Sequence, residues 1–232
     1  MRCEARLSRT AALLGEPAME RLKNACVMLV GLGGVGGHAL DALVRSGVGH
    51  LVLVDYDTVD VTNLNRQLLA DTTTVGRKKT AVAAERAALI SKDVNITLHD
   101  ERVTEENAEP LLRAETPTLV LDACDDVAAK VALAVAADRL GIPLISCLGT
   151  GNRLDPSALT VTDVAKTEGC PLARSFRTRL RRAGIRHLPV VFSREPARTP
   201  LTADVRVASS AFPPAAAGLL LASYAVRHIA DL

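Results

Sequence analysis

The chain has 232 residues, 48% of them hydrophobic and 23% charged, with 28 basic and 26 acidic side chains. So high an apolar fraction with a net charge of only +2 excludes a disordered chain, and 15 Gly and 11 Pro exclude collagen-like or low-complexity structure. The length suits one large α/β domain, or such a domain with a small appendage, around a single substantial core.

The amino-terminal stretch MRCEARLSRT carries charge where a signal peptide needs an apolar run. A helix is predicted next, over 10–23. Strands are predicted over 26–30, 51–55, 95–99, 119–122 and 144–147, and helices between them over 35–46, 77–90, 105–113 and 127–140. Strand, crossover helix and strand in repetition predict a parallel sheet covered on both faces. After Gly149 the rhythm changes: a turn over 152–156, a strand over 159–164 and a helix over 171–183 with Pro171 in its first turn. A strand over 188–192 comes next, which Pro189 should confine to a sheet edge. A loop over 195–200 leads to a closing apolar helix over 214–228. The longest apolar-rich stretch, 211–226, falls short of the roughly 20 residues that cross a bilayer. Its Ala-rich character and weak polar face favour packing against the core or a dimer partner over lying on a membrane. An intracellular, cytoplasmic protein is expected.

Five cysteines, Cys3, Cys26, Cys124, Cys147 and Cys170, form no C-x-x-C pair, so neither a four-cysteine zinc site nor a disulfide framework is expected. Cys26 and Cys124 read as small buried hydrophobes. Cys147 and Cys170 stand at loop-like positions where a reactive thiol could sit, although Cys170, just before Pro171, suits a cap or packing role better.

The sharpest motif is Val30-Gly31-Leu32-Gly33-Gly34-Val35-Gly36, after the first strand and opening a helix. Gly31, Gly33, Gly34 and Gly36 permit a tight turn and close approach of backbone to phosphate. Asp55 ends the second strand about 20 residues on, where a carboxylate can hold ribose hydroxyls. A nicotinamide-dependent dehydrogenase would share all of this. The residues after Asp55 set this chain apart from one. Asp55-Tyr56-Asp57 leads into Thr62-Asn63-Leu64-Asn65-Arg66-Gln67 and then Val75-Gly76-Arg77-Lys78-Lys79, a polar loop in place of the helix a dehydrogenase would place there. Amides can hold sugar and phosphate oxygens, and Arg66 and Lys79 can neutralise a triphosphate, whereas each taken singly could be a solvated surface charge. Asp125, just past the fourth strand, could hold Mg²⁺ for attack on an α-phosphate.

These motifs together, with Asp122-Ala123-Cys124-Asp125, resemble the ubiquitin-activating-like adenylating superfamily over roughly residues 6–150. The resemblance implies a Rossmann-like, doubly wound α/β fold, mostly parallel, with a C-terminal strand and helix extension. It also implies ATP-dependent activation of a carboxylate as an acyl-adenylate. It places Gly34 on phosphate, Asp55 on ribose, Asn63, Asn65 and Arg66 on phosphates, Lys79 near the α-phosphate and Asp125 on magnesium. Gly31, Gly33, Gly36, Asp57 and Gln67 complete the nucleotide-binding set. Arg9 matches an arginine that the family donates across a homodimer.

The later strings Cys147-Leu148-Gly149-Thr150-Gly151-Asn152-Arg153, Val161-Thr162-Asp163-Val164-Ala165-Lys166-Thr167 and Pro171-Leu172-Ala173-Arg174 are similar to the tRNA threonylcarbamoyladenosine dehydratases, and extend the likeness to nearly the whole chain. That implies one domain, 1–232, with an ATP-binding core to residue 150 and a substrate- and tRNA-binding extension over 151–232. Ser209 and Ser210 stand where some relatives place a cysteine, so no sulfur relay is expected there. The charge distribution supports a nucleic-acid substrate. Residues 1–150 hold 16 basic and 20 acidic side chains, but residues 151–232 hold 12 and 6. Six arginines lie over 174–186 with no acid among them, and helical spacing puts Arg174, Arg177 and Arg181 on one face with the neutral Thr178 beside them; these three and Arg182 are the candidate tRNA contacts. Aromatic residues are only 2% of the chain, so backbone charge rather than stacking would hold an RNA. The rival readings are an adenylyltransferase acting on the C-terminal glycine of a sulfur-carrier or ubiquitin-like protein, and a nucleotide-sensing or RNA-binding module without catalysis.

Overall fold

A computed structural model describes residues 5–202, 204–205 and 207–232; Cys3 lies outside the described residues. The strands are β1 (Cys26–Val30), β2 (His50–Val54), β3 (Asn95–His99), β4 (Leu119–Asp122), β5 (Leu144–Cys147), β6 (Leu159–Asp163) and β7 (Pro189–Ser193). They form one sheet in the order β3-β2-β1-β4-β5-β7-β6. Every neighbouring pair is parallel except β6 on β7. The strand order reverses direction between β1 and β4, the crevice at which open α/β sheets bind ligands.

Alternation along each strand explains the two covered faces. Val27 and Leu29 of β1, Leu51 and Leu53 of β2, and Leu119 and Leu121 of β4 share one apolar core. Met28, Val30, Val52, Val54 and Val120 between them point into a second core on the other face. The first face is covered by α2 (Glu16–Asn24), α3 (Gly36–Ser46), α4 (Lys79–Ile90) and α8 (Phe212–Ala230), the second by α5 (Ala108–Glu115) and α6 (Val127–Leu140). Against α6, α7 (Pro171–Arg182) closes a third cluster around Phe176, Leu180 and Phe192.

Two sequence expectations need correction. The helix predicted over 10–23 is two helices, α1 (Ser8–Leu14) and α2, because Gly15 takes φ +85° and Pro17 enters the first turn of α2. Pro189 does not put its strand at an edge. It opens β7, opposite Asp163 of β6, and the next residue, Val190, already pairs with Ser146 of β5. A proline at a strand's first position forfeits no interior ladder bond, so β7 lies inside the sheet and β6 forms the edge.

The apolar stripe of α8 is spent on the core: Ala217, Leu221, Ala222, Ala225 and Ile229 are buried with the α3 side chains. Arg21 of α2 donates from Nε to the Ile229 carbonyl at 3.2 Å and from its terminal nitrogen to the Ala230 carbonyl, closing the carboxyl end of α8. Among the described residues no helix is long and apolar enough to cross a membrane. Helices α3 and α8 meet at Gly218, where an added Cβ would overlap the Val35 carbonyl and lie 2.9 Å from His38 Cβ. Gly218→Ala is therefore expected to force the helices apart at a cost of about 2–3 kcal/mol. Thermal unfolding should register this as a fall of roughly 5–10 °C in Tm.

Candidate nucleotide and RNA site

The glycine loop after β1 is dictated by space. Gly31 has φ +91°, and a Cβ there would stand 2.8 Å from the Ala123 carbonyl and from Cys124 N; a Cβ on Gly36 would overlap the Gly31 carbonyl. Glycine at these two positions lets the loop turn tightly against the backbone after β4. No side chain caps the amino end of α3, which leaves the helix dipole and first-turn N–H groups for an anion.

Asp55, directly after β2, is buried and holds this loop. Its Oδ2 accepts from Leu32 N at 2.6 Å and its Oδ1 from Asp57 N at 2.8 Å. Burial raises its carboxyl above the usual range, while the two backbone N–H groups and the Lys79 charge pull it back. Lys79 opens α4; its side chain is 7% exposed, and Nζ donates to Asp57 Oδ2 at 3.0 Å. A cation is thereby held at the carboxyl end of β2 with its stem buried.

The segment before α4 folds as a short turn. Asp60 Oδ1 accepts from Thr62 N at 2.8 Å, and Asn63 Oδ1 accepts from Asp60 N at 3.1 Å, a reciprocal capping box. Asn63 thus builds the turn that presents its neighbours. Arg66 donates to the Thr62 carbonyl at 3.1 Å and to Asn65 Oδ1 at 3.0 Å. Its Cγ lies 3.5 Å from where a Gly34 Cβ would stand, so the stem of its side chain packs against the glycine loop. Gln67 is buried with Oε1 unpartnered, and its Nε2 lies 3.6 Å from the Cβ position of Gly33. His38 Nδ1 donates to the Gly34 carbonyl at 2.8 Å. A cavity of about 500 Å³ opens here, bordered by His38, Leu64, Arg66, Gln67 and Phe212.

Asp125 is exposed in the turn after β4. The next residue, Asp126, caps α6 by accepting from Ala128 N at 2.8 Å and accepts from Arg102 at 2.6 Å. The Tyr56 phenol is pushed up first by the charge of Asp57 and then by burial, with Asp125 and Asp55 adding and Arg102 opposing. Among the described residues no group of three or more His, Cys, Asp or Glu side chains could hold a metal unaided. Magnesium asks for less, one or two carboxylates with substrate phosphates and water completing its shell, and the exposed Asp125 fits that demand.

Among the described residues, the thiols of Cys26, Cys124 and Cys147 are not poised for chemistry. Cys147 is buried and its thiol is pushed up to about 12, Cys26 to about 11, each chiefly by burial. Burial and the adjacent Asp122 raise Cys124 as well. Cys170 is the N-cap of α7, its sulfur accepting from Ala173 N at 3.5 Å.

On α7, Arg174, Arg179, Arg181 and Arg182 are exposed and, among the described residues, have no acidic partner within ion-pair distance. Arg174, Ser175, Thr178, Arg179 and Arg182 border a cavity of about 660 Å³. Arg177 departs from the expected shared open face. It is half-buried and donates to the Thr167 carbonyl and to Thr167 Oγ1 (2.7 Å for the latter), fastening the turn before α7.

Several site-forming residues escape sequence reasoning. Arg153 is buried and donates to the carbonyls of Gly149 (2.7 Å), Gly151 (3.2 Å) and Glu195 (3.0 Å), shaping the loop after β5. Asn152, at φ +60°, exchanges two 2.7 Å hydrogen bonds with the backbone of Ala208, and Asn65 Nδ2 donates to the Ser209 carbonyl at 3.0 Å. The segment before α8 is thus tied both to the loop after β5 and to the Arg66 turn. Lys130 is fully buried in α6; its only signal in the sequence is to stand as the one charge in the otherwise apolar run over 127–137.

Known proteins share this fold. The ThiF family model matches residues 7–229. The tRNA threonylcarbamoyladenosine dehydratase of Bacillus subtilis is 37% identical over 238 residues, covering 96% of this chain and 93% of that protein. Crystal structures of Escherichia coli tRNA N6-threonylcarbamoyladenosine dehydratase, TcdA, in complex with AMP and with ATP superpose with TM-scores of 0.92 and 0.91 at 35% identity, covering 97% of this chain and 94% of theirs. The sulfur carrier protein adenylyltransferase of Thermus thermophilus is 40% identical, but over only 132 residues, 57% of this chain and 48% of that protein. The glycine loop after β1, Lys79 at the start of α4 and the acidic turn after β4 thus sit in a chain that belongs to the ThiF family and, within it, groups with the tRNA threonylcarbamoyladenosine dehydratases.

Proposed function

We propose that this protein is an ATP-dependent dehydratase that adenylates the carboxylate of threonylcarbamoyladenosine in tRNA and cyclises it. A carboxylate oxygen of the modified base attacks the α-phosphorus of ATP and pyrophosphate leaves. An internal nucleophile of the threonylcarbamoyl group then attacks the activated carbonyl, AMP leaves and a ring closes, with net loss of water from the nucleoside. No protein nucleophile is needed, in keeping with thiols that are buried and raised. The observation that carries the reading is coverage. Sequence likeness to the Bacillus subtilis dehydratase covers 96% of the chain and so runs through β6, α7, β7 and α8, whereas sequence likeness to the sulfur carrier adenylyltransferase spans 57%.

In this reading the glycine loop and the amino end of α3 receive phosphates, Asp55 the ribose, and Asn63, Asn65 and Gln67 supply the amides beside them. Arg66 and Lys79 offset charge that builds at the α-phosphate, and Asp57 orients Lys79. Mg²⁺, held by Asp125 with the phosphates, would screen the triphosphate against the incoming carboxylate. Holding carboxylate and α-phosphorus in contact supplies much of the rate.

Arg9 is exposed on α1, and Leu7 anchors that segment against Gly47 at the carboxyl end of α3, 2.9 Å from where a Cβ on Gly47 would stand. Helix α3 has 11 residues, about 16 Å at the α-helical rise, and the glycine loop lies at its other end. Arg9 is thus poorly placed to serve its own loop, which supports its donation to the partner site of a homodimer. The exposed arginines of α7 are assigned to tRNA phosphates. A cytoplasmic setting accords with the two substrates.

Arg66→Ala and Asp125→Ala are expected to abolish ATP–pyrophosphate exchange in the presence of tRNA bearing threonylcarbamoyladenosine; ordinary exchange in both variants would refute the site. Arg174→Glu with Arg182→Glu should weaken tRNA binding at least about tenfold at low salt and flatten the slope of log affinity against log salt by about 2, with ATP binding retained. An unchanged salt slope would remove α7 from the RNA interface.

A further inference from the structure

Lys130 lies in the first half of α6, and no solvent reaches it. A lysine ammonium has three donors, and here each finds an acceptor: Asp122 Oδ2 at 3.0 Å, Ser146 Oγ at 3.2 Å and the Cys147 carbonyl at 2.7 Å. Ser146 Oγ in turn donates to the same Asp122 oxygen at 2.5 Å. The other carboxylate oxygen, Oδ1, accepts from Cys124 N at 3.2 Å and from Cys124 Sγ at 2.9 Å. One buried charge therefore ties the last residues of β4 and β5 together and, through Asp122, grips the backbone one residue before Asp125.

The grip acts where the turn has least freedom. Ala123 N donates to the Val30 carbonyl at 2.8 Å, and Gly31 leaves no room for a side chain against Ala123 and Cys124. The glycine loop bounds the turn on one side and Asp122 on the other. Stability alone gives a weak account of such a pair, because desolvation offsets its attraction and well-packed apolar residues of the same volume often serve as well or better. Removing only the lysine is a different matter. Asp122 would be left as an unpaired buried carboxylate, which must take up a proton or rotate toward water. Either response disturbs the acceptor that holds Cys124 N–H.

We propose that Lys130 is a positioning residue: through Asp122 it sets the course of the turn over 123–126 and so the place of Asp125 beside the nucleotide phosphates. This rests on the reading of Asp125 as the carboxylate on the magnesium side of the site, and the test separates the two. ATP affinity is measured with magnesium and with EDTA, together with amide hydrogen exchange of peptides spanning residues 122–127, in wild type, Lys130→Met, Ser146→Ala and Asp125→Ala.

In Lys130→Met the gain in ATP affinity conferred by magnesium should shrink at least about tenfold. Exchange across the turn should quicken, with affinity in EDTA held within about twofold. Asp125→Ala should lose the same gain with turn exchange at the wild-type rate. A folded Lys130→Met with the wild-type magnesium gain and wild-type turn exchange overturns the proposal. An Asp125→Ala that keeps the gain overturns the underlying reading instead. Should Lys130→Met fail to fold, Ser146→Ala, which keeps both charges, decides: a partial loss of the gain with quicker turn exchange supports the proposal, and no change in either overturns it.

Discussion

The candidate site depends on how closely two stretches of backbone approach at the carboxyl end of the sheet. The loop after β1 and the turn after β4 meet at Gly31 with no space for a side chain between them. That contact brings the glycine loop on one strand beside an acidic turn on its neighbour, across the point where strand order reverses. The surroundings serve to hold it. Asp55 grips the loop at Leu32 from the β2 side, Lys130 and Asp122 grip the turn at Cys124 from the β5 side, and α8 presses on α3 through Gly218.

The polar groups inside this arrangement are costly to bury and are each satisfied by specific partners, with Gln67 Oε1 and Ser210 Oγ the exceptions among the described residues. Gln67 lies against the glycine loop in the cavity beside Arg66.

Much of this is legible in the sequence. The strands over 26–30, 119–122 and 144–147 and the helix over 127–140 have the bounds expected of them, because strands covered on both faces read as short apolar runs and the helix is a long Ala-rich one. The strand over 95–99 also has its expected bounds, as a half-exposed edge strand whose apolar Ile96 and Leu98 alternate with polar residues. The glycine loop is legible because its demand is local: a tight turn needs glycine whatever packs around it. Pairings made by tertiary folding are not. Nothing in the sequence links Asp57 to Lys79 across 22 residues, or Asn65 to the Ser209 carbonyl across 144. Helical spacing puts Arg177 near Arg174 and Arg181, but spacing cannot show that a turn ten residues upstream folds back to take its guanidinium. Pro189 misleads for a similar reason: its missing N–H matters only at an interior ladder position, and it stands at the first.

The part of the chain beyond residue 150 completes the fold of a protein whose sequence likeness to the Bacillus subtilis dehydratase covers 96% of its length and to the sulfur carrier adenylyltransferase 57%. It adds two strands to the same sheet, covers α3 with α8 and presents the arginines of α7. The deciding question is therefore which carboxylate is activated. The protein should be incubated with ATP, magnesium and tRNA carrying threonylcarbamoyladenosine, and the nucleosides analysed by mass. Loss of one water from the modified nucleoside, with AMP and pyrophosphate released in step, is the expected result; an unchanged nucleoside, with adenylation instead of the C-terminal glycine of a small carrier protein, would contradict it.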